Sequence, residues 1–324
     1  MLTRHQAAEM LASFDRVLIL CHRNPDGDTL GSGFALCRAF LNQGKKARVF
    51  CNDPIPEKFS YMIPEQQEDF VPLHVVSVDV ADPALLGPNT EQMIAPYSPI
   101  ELSVDHHPTH KQFAQELFLE ADSASCCEIV RELLREMGWE IDAGIANCLY
   151  TGLSTDTGCF KFSNTTPRTH RIAAEMIEMG ADHTRINKVM FDTVTFNELE
   201  LEQLALEKMW MSDDQKIAVL TITTDMLRQT GVSEAQLDRI TALTRKISGV
   251  EVGITIKQRG EVDYKVSVRT AETISASKIC EHFGGGGHAR AAGCQFDLSN
   301  PVVIREKLVE AVYKTAEEER CAGQ

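Results

Sequence analysis

The sequence predicts an α/β protein, with a parallel sheet and its helices in the first half and a smaller α/β domain in the second. Short β-branched apolar runs alternate with helical stretches up to about residue 195, the pattern of strands joined by helical crossovers. After the strongly helical "TFNELELEQLALEKMW" the alternation starts again. With 324 residues, 43% of them hydrophobic, the chain can bury two cores.

Each element follows from its local pattern. "RVLIL" (Arg16–Leu20) reads as a strand, and "TLGSGFALCRAFLNQG" as a helix that Gly44 ends. "KARVFC", "LHVVSVDV" (Leu73–Val80) and "IELSVDHH" (Ile100–His107) are the next strands. "SCCEIVRELLREMG", "AGIANCLYTGLSTDTG" and "TPRTHRIAAEMIEMG" then read as three helices, each closing near a glycine. In the second half, "KIAVLTIT" is a strand and "SEAQLDRITALTRKI" a helix. "VEVGITIKQ" and "YKVSVRT" form a hairpin around "RGEVD", and a last helix starts at Pro301. The expected division is a catalytic domain over 1–195, a connecting helix over 196–214 and a substrate-binding domain over 215–324, with the active-site cleft between the two domains.

Composition narrows the function. No apolar run approaches the roughly 20 residues that span a bilayer, and the N-terminal stretch does not read as an export signal, so no membrane association is expected. The ten cysteines contain no C-x-x-C pair and sit mostly in apolar patterns. Reduced, buried thiols in a cytoplasmic protein fit this better than disulfides or a zinc site. A formal charge of −15 argues against binding long nucleic acid, which needs extended basic surface. A small anionic substrate held by metal ions and a local basic patch is compatible with that charge. The sequence leaves a homodimer open.

Acidic and imidazole groups recur where strands or helices end. "VLILCHRNPDGDTLGSG" places His22, Asp26 and Asp28 within seven residues. "VSVDVAD" supplies Asp79 and Asp82, "VDHHPTH" supplies Asp105, His106, His107 and His110, and "STDTG" supplies Asp156. In an open parallel sheet, ligands bind outside the carboxyl ends of the strands, so these clusters should converge. Carboxylates with imidazoles and no thiolate suit Mn²⁺, Mg²⁺ or Fe²⁺. One Asp can bridge two ions roughly 3.5–4 Å apart, the arrangement used for in-line displacement at phosphorus. Taken singly, Asp28 would serve as a helix N-cap, Asp82 as the cap of a helix starting near Pro83, and Asp156 as helix-end polarity. Two adjacent histidines directly after an apolar strand are harder to assign to packing.

These stretches resemble, in order and spacing, the four motifs of the DHH phosphoesterase superfamily. "VSVRT" with "GGGGHARAAG" resembles its C-terminal DHH-associated domain. Within the superfamily the chain is most similar to the nanoRNase/pAp-phosphatase group. The resemblance implies a two-metal phosphoesterase that hydrolyses short oligoribonucleotides to nucleoside monophosphates or removes the 3′-phosphate of pAp (3′-phosphoadenosine 5′-phosphate). It implies one divalent ion on His22, Asp26 and Asp79. A second would be held by Asp28, Asp79, His106 and Asp156, with Asp79 shared and Mn²⁺ placed before Mg²⁺ or Fe²⁺. His107 would sit beside the scissile phosphate, and Asp105 would orient a ligating histidine. The group often has Asn where this chain has His110, which receives no role.

"GGGGH" suits neither a helix nor a strand interior, since glycine costs about 1 kcal/mol against alanine at each helical position. It suits a close backbone approach. The "HARAAG" that follows would start a helix whose amides receive a phosphate; a flexible loop is the plainer alternative. No Lys-Ser or Lys-Thr follows, against a Walker-type loop. Lys257, Arg259, Lys265, Arg269 and Arg290 gather in this region of an acidic chain. The resemblance selects Arg269, Gly285, Gly286, Gly287 and His288 as substrate-binding. The alternative function is a pyrophosphatase- or exopolyphosphatase-like phosphohydrolase. A non-catalytic nucleotide-binding protein and a RecJ-like exonuclease on long substrates fit less well.

Overall fold

The computed structural model describes residues 1–65, 69–94, 99–271 and 274–322, and the chain forms two compact units, Met1–Thr193 and Val194–Gln324. In the first unit, helix α1 (Arg4–Ser13) leads into strand β1 (Val17–Cys21), helix α2 (Gly27–Asn42), β2 (Ala47–Cys51) and β3 (His74–Val78). Helix α3 (Pro88–Ile94), β4 (Leu102–Asp105) and β5 (Glu116–Leu119) follow. Helices α4 (Cys126–Glu136), α5 (Ala143–Asp156), α6 (Pro167–Glu178) and α7 (His183–Asn187) complete the unit.

Its five strands run parallel in the order β2-β1-β3-β4-β5. Every residue of β1 is buried, as expected of a strand covered on both faces. The chain leaves β1 toward β2 and later returns to β3 on its other side, so a topological switch point lies between β1 and β3. Helix α2 packs on both the sheet and α5 within the main apolar core. The helices expected over 126–178 are all present, and Gly138, Gly158 and Gly180, just beyond their ends, have φ of +67°, +57° and +97°. Strand β5, inside "FAQELFLEAD", is an element the sequence patterns did not reveal.

The second unit begins with helix α8 (Phe196–Glu207), followed by β6 (Trp210–Met211), β7 (Ile217–Ile222), α9 (Thr224–Thr230) and α10 (Asp238–Thr241). Strands β8 (Val252–Gln258) and β9 (Asp263–Thr270), helix α11 (Ala276–Glu281), β10 (Gly286–His288), β11 (Ala291–Asp297) and α12 (Pro301–Ala322) complete it. Its mixed sheet has the order β10-β11-β9-β8-β7-β6, with only β7–β8 parallel. Leu201 and Ala205 of α8 are buried with Leu220 and Ile222, so the helix read as a connector packs within this unit.

Two local expectations are corrected. "GGGGHARAAG" does not start a helix: Gly286–His288 pairs antiparallel with β11. The reason is period-2 patterning, since Ala292, Cys294 and Phe296 are buried while Gln295 and Asp297 are exposed. "SEAQLDRITALTRKI" is not one helix but a 3-10 turn (Glu234–Gln236), α10 and a second 3-10 turn (Leu243–Lys246). The first turn is closed locally, because the Gln236 amide oxygen accepts from both the backbone N–H and the hydroxyl of Ser233. Among the described residues, no helix is long and apolar enough to cross a membrane.

Candidate metal centre

The carboxyl ends of three adjacent strands carry the chemistry. His22 follows β1, Asp79 follows β3, and Asp105, His106 and His107 close β4. Asp26 caps α2, accepting from the N–H groups of Asp28 and Thr29 at 3.0 and 3.1 Å. Asp26, not Asp28, is thus the N-cap. Asp82 caps the short 3-10 turn Pro83–Leu86, accepting from Ala84 N. Asp156 is the last residue of α5.

Asp79 has φ +58°, a left-handed conformation uncommon for a non-glycine residue. Its N–H still donates to Val104 O at 3.0 Å, so the strained turn is anchored to the sheet. The two neighbouring imidazoles are fixed by backbone carbonyls. His22 Nδ1 lies 2.9 Å from Arg23 O, and His106 Nδ1 lies 3.2 Å from Ser123 O. These contacts make Nδ1 the protonated nitrogen in each neutral ring and turn Nε2 toward the carboxylates. His22 Nε2 is 3.6 Å from Asp26 Oδ2 and 3.7 Å from Asp79 Oδ2. His106 Nε2 is 3.4, 3.6 and 3.9 Å from carboxylate oxygens of Asp79, Asp156 and Asp28.

Three overlapping donor groups result: His22, Asp26 and Asp79; Asp28, His106 and Asp156; and Asp79, Asp105, His106 and His107. Within each, the ligand atoms lie within 4.8 Å of one another. Asp79 Oδ1 is buried and, among the described residues, accepts no hydrogen bond, an expensive condition for a carboxylate. An orphaned carboxylate oxygen among oxygen and imidazole donors fits hard divalent cations.

The electrostatics agree. Burial disfavours charge on His22 and His106, but the surrounding carboxylates outweigh it and push the imidazoles up to about 11 and about 10. Burial, then the charge of Asp79, lifts Asp28 to about 7. Burial, then Asp28 and Asp79, lifts Asp156 to about 8. Burial alone would raise Asp79 too, but His106 and His22 hold it well below the ordinary carboxylate range. Carboxyls this crowded cannot all ionise without added positive charge.

Asp28 has a seat that its own motif does not announce. Its Oδ2 accepts from Cys126 N at 2.6 Å and its Oδ1 from Cys127 N at 2.9 Å, both at the N-terminus of α4. Ser125 caps that helix, so "SASCC" was the available signal. Gly152 of α5 supplies the room, since a Cβ there would lie 2.6 Å from Asp28 Oδ1.

Asp105 is fully buried, and its Oδ1 accepts from the N–H groups of His106 and His107 and lies 2.8 Å from His107 Nδ1. His110, left without a role by its sequence, is buried beneath it. Its Nδ1 accepts from Gln112 N at 2.8 Å, so the proton sits on Nε2, 3.0 Å from Ser103 Oγ and 4.0 Å from Asp105 Oδ2.

In the second unit, β-register places Arg269, Ala291 and His288 in one row across β9, β11 and β10. Gly285 lies against the opposing strand, where a Cβ would meet Cys294 Cβ at 2.5 Å; Gly286, Gly287 and His288 are exposed on the sheet edge. The glycine run serves strand-to-strand approach, not a helix N-terminus.

Residues 16–153 match the DHH family, N-terminal domain, and residues 214–318 match the DHHA1 domain. The chain is 29% identical over 315 residues to the bifunctional oligoribonuclease and PAP phosphatase NrnA of Thermus thermophilus, covering 94% of this chain and 92% of that protein. It is 23% identical over 289 residues to the protein of the same name in Bacillus subtilis, covering 87% and 90%. An exopolyphosphatase-related protein from Bacteroides fragilis shares the fold, with TM-score 0.87, 20% identity and coverage of 98% and 97%. The Mn²⁺ complex of RecJ from Thermus thermophilus superposes with TM-score 0.56 at 14% identity, covering 97% of this chain and 55% of that one. Both domain types are matched in order and together span well over half of the sequence, and the chain belongs to the DHH family.

Proposed function

We propose that this chain is a cytoplasmic, two-metal phosphoesterase that hydrolyses oligoribonucleotides of about two to five nucleotides, a length its acidity favours, and removes the 3′-phosphate of pAp. The observation that carries this is the overlap of donor groups on Asp79 and His106 at three adjacent strand ends. The names of the relatives, oligoribonuclease and PAP phosphatase, support the substrate class. Ten unpaired cysteines support the compartment.

His22, Asp26 and Asp79 would hold one ion, and Asp28, Asp79, His106 and Asp156 the other, with Mn²⁺ the ion we propose. Two such ions supply Lewis-acid polarisation of phosphoryl oxygens and a nucleophilic water at neutral pH. The chain contributes orientation. Arg23 O and Ser123 O fix which nitrogen His22 and His106 present, and the helix α4 amides fix Asp28. His107, held by Asp105 and partly exposed, would donate a proton or hydrogen bond to the leaving oxygen. Arg269, Gly285, Gly286, Gly287 and His288 bind substrate.

The test is Mn²⁺-dependent release of AMP from pApA, with pAp and pyrophosphate run alongside and His106→Ala as control. Fast AMP release that disappears in the variant is expected. Phosphate release from pyrophosphate, with none of AMP from pApA, would keep the metal centre and overturn the substrate.

A further inference from the structure

The donors proposed for the second ion come from separate places: Asp28 near the start of α2, His106 at the end of β4 and Asp156 at the end of α5. One short segment, residues 123–127, touches two of them. Ser123 O lies 3.2 Å from His106 Nδ1, and the N–H groups of Cys126 and Cys127 donate to Asp28. Asp156 is tied to the same segment by a side chain from elsewhere. Asn164 Nδ2 donates to Ala124 O at 3.0 Å and to Asp156 O at 3.2 Å.

Both partners are carbonyl oxygens, so only the NH₂ end of the Asn164 amide can face them. The amide oxygen is buried and, among the described residues, has no partner, a costly state that the two donated bonds offset. Asp156 O is among the last four carbonyls of α5, which no N–H of that helix can reach. Ala124 lies between Ser123 and Ser125, the cap of α4. The two bonds therefore act on the main chain of one donor and on the turn that holds another.

The chain bends sharply to bring Asn164 there. Gly158, Cys159 and Phe160 have φ of +57°, +60° and +62°, three left-handed residues in a row of which two are not glycine. Cys159 N donates to Ser154 O at 2.6 Å and Phe160 N to Thr157 Oγ1 at 3.0 Å. The Phe160 ring stacks on His170 with centroids 5.3 Å apart. Strain of this kind persists only where the surroundings over-determine it, and it gathers at functional sites. Here it turns the chain back over the end of α5, so that a side chain eight positions on reaches the Asp156 carbonyl.

We infer that Asn164 is a positioning residue for the second ion. Its two hydrogen bonds lock the Asp156 end of α5 to the turn that orients His106 and supports Asp28, so that the three donors keep one spacing before an ion arrives. It acts through Asp156 and His106, and the inference rests on the proposed two-ion reading.

The test is Mn²⁺ titration of the full chain, stripped with chelator beforehand and followed by calorimetry and by electron paramagnetic resonance of the bound ions. Wild type should take up two ions and give the spectrum of a spin-coupled pair. In Asn164→Ala one ion should bind about 10–100-fold more weakly while the other keeps its affinity, and below saturation the coupled spectrum should give way to that of an isolated ion. Thr166→Ala is the control. It removes the cap of α6, where Thr166 Oγ1 accepts from Thr169 N at 3.2 Å, and so loosens the same stretch of chain without cutting either Asn164 bond. It should lower the unfolding temperature and leave both ions in place. Asn164→Asp keeps the size, loses the NH₂ group and adds a negative charge that by itself would tighten a cation. It should nevertheless weaken the same ion, and it carries the result if Asn164→Ala does not fold. Unchanged uptake in Asn164→Ala, equal weakening of both ions, tighter binding in Asn164→Asp, or the same loss in Thr166→Ala would each overturn the inference. Uptake of two ions without AMP release from pApA would overturn the proposed activity and leave the role of Asn164 standing. A single ion on wild type would overturn the two-ion reading, and Asn164 would then stand or fall on whether Asn164→Ala weakens that ion.

Discussion

At the scale of single residues, the centre depends on how its histidines are held. His22 and His106 present Nε2 because backbone carbonyls engage Nδ1. His107 is instead engaged by a side chain, the buried Asp105. Asp105 also gathers the backbone N–H groups of both histidines through the same oxygen, so it sets the direction of the whole "DHH" turn. Asp105→Asn keeps the volume but turns an acceptor toward a donor or removes it. Partners that orient ligands are typically worth about 10–100-fold, and that is the expected loss of turnover on pApA. Thermal unfolding measured in parallel should show the variant still folded. Beneath Asp105, neutral His110 ties Ser103 to the Gln112 backbone. It explains how a histidine is accommodated there: both ring nitrogens have partners at hydrogen-bond distance.

At the scale of elements, the site is assembled by helix ends and by close helix packing. The α4 amides hold Asp28 at a point where α5 passes close by, and Gly152 leaves the room for it. Gly152→Ala would drive a methyl group into Cys127 and Asp28. Overpacking of this kind costs about 1–3 kcal/mol, so denaturant unfolding should move to a lower midpoint, and Mn²⁺ titration should show weakened uptake. A second device ties α1 to the rest of the first unit. Burial alone would raise the Glu120 carboxyl, but Arg4, at 2.6 Å, and Arg168, at 3.3 Å, bring it below its ordinary value of 4.5. A depressed carboxyl contributes stability that is complete above its ordinary value and lost as pH falls through the depressed one. Arg4→Ala should therefore reduce stability at neutral pH and narrow the gap to wild type in acid. With Arg4 partly exposed, the expected difference is about 0.5 kcal/mol, read from urea unfolding across pH 3 to 7.

At the scale of the whole molecule, charge and size set what can bind. On the proposed reading, a net charge of −15 disfavours a long strand, which needs many phosphate contacts with basic surface. Turnover should fall sharply beyond roughly five nucleotides. A dinucleotide-to-eicosamer series at fixed Mn²⁺ and salt measures this, and equal rates along the series would contradict it.

Local patterning made the strands β1 to β4, the helices over 126–178, the β8–β9 hairpin and the metal-ligand motifs legible, because period, caps and turn residues act within a few positions. It failed at "SEAQLDRITALTRKI", where a helix-like pattern is broken into turns, and at "GGGGHARAAG", where the next few residues alternate as a strand. By itself, then, the sequence determined the α/β class, the alternation of its elements and the kinds of donor at each strand end. Only the tertiary structure decided which of those donors meet and that Asp28 rests on the amides of Cys126 and Cys127. Those are distances between residues remote in the chain, and they are set by strand order and by glycines that let backbones approach, neither of which a local pattern encodes.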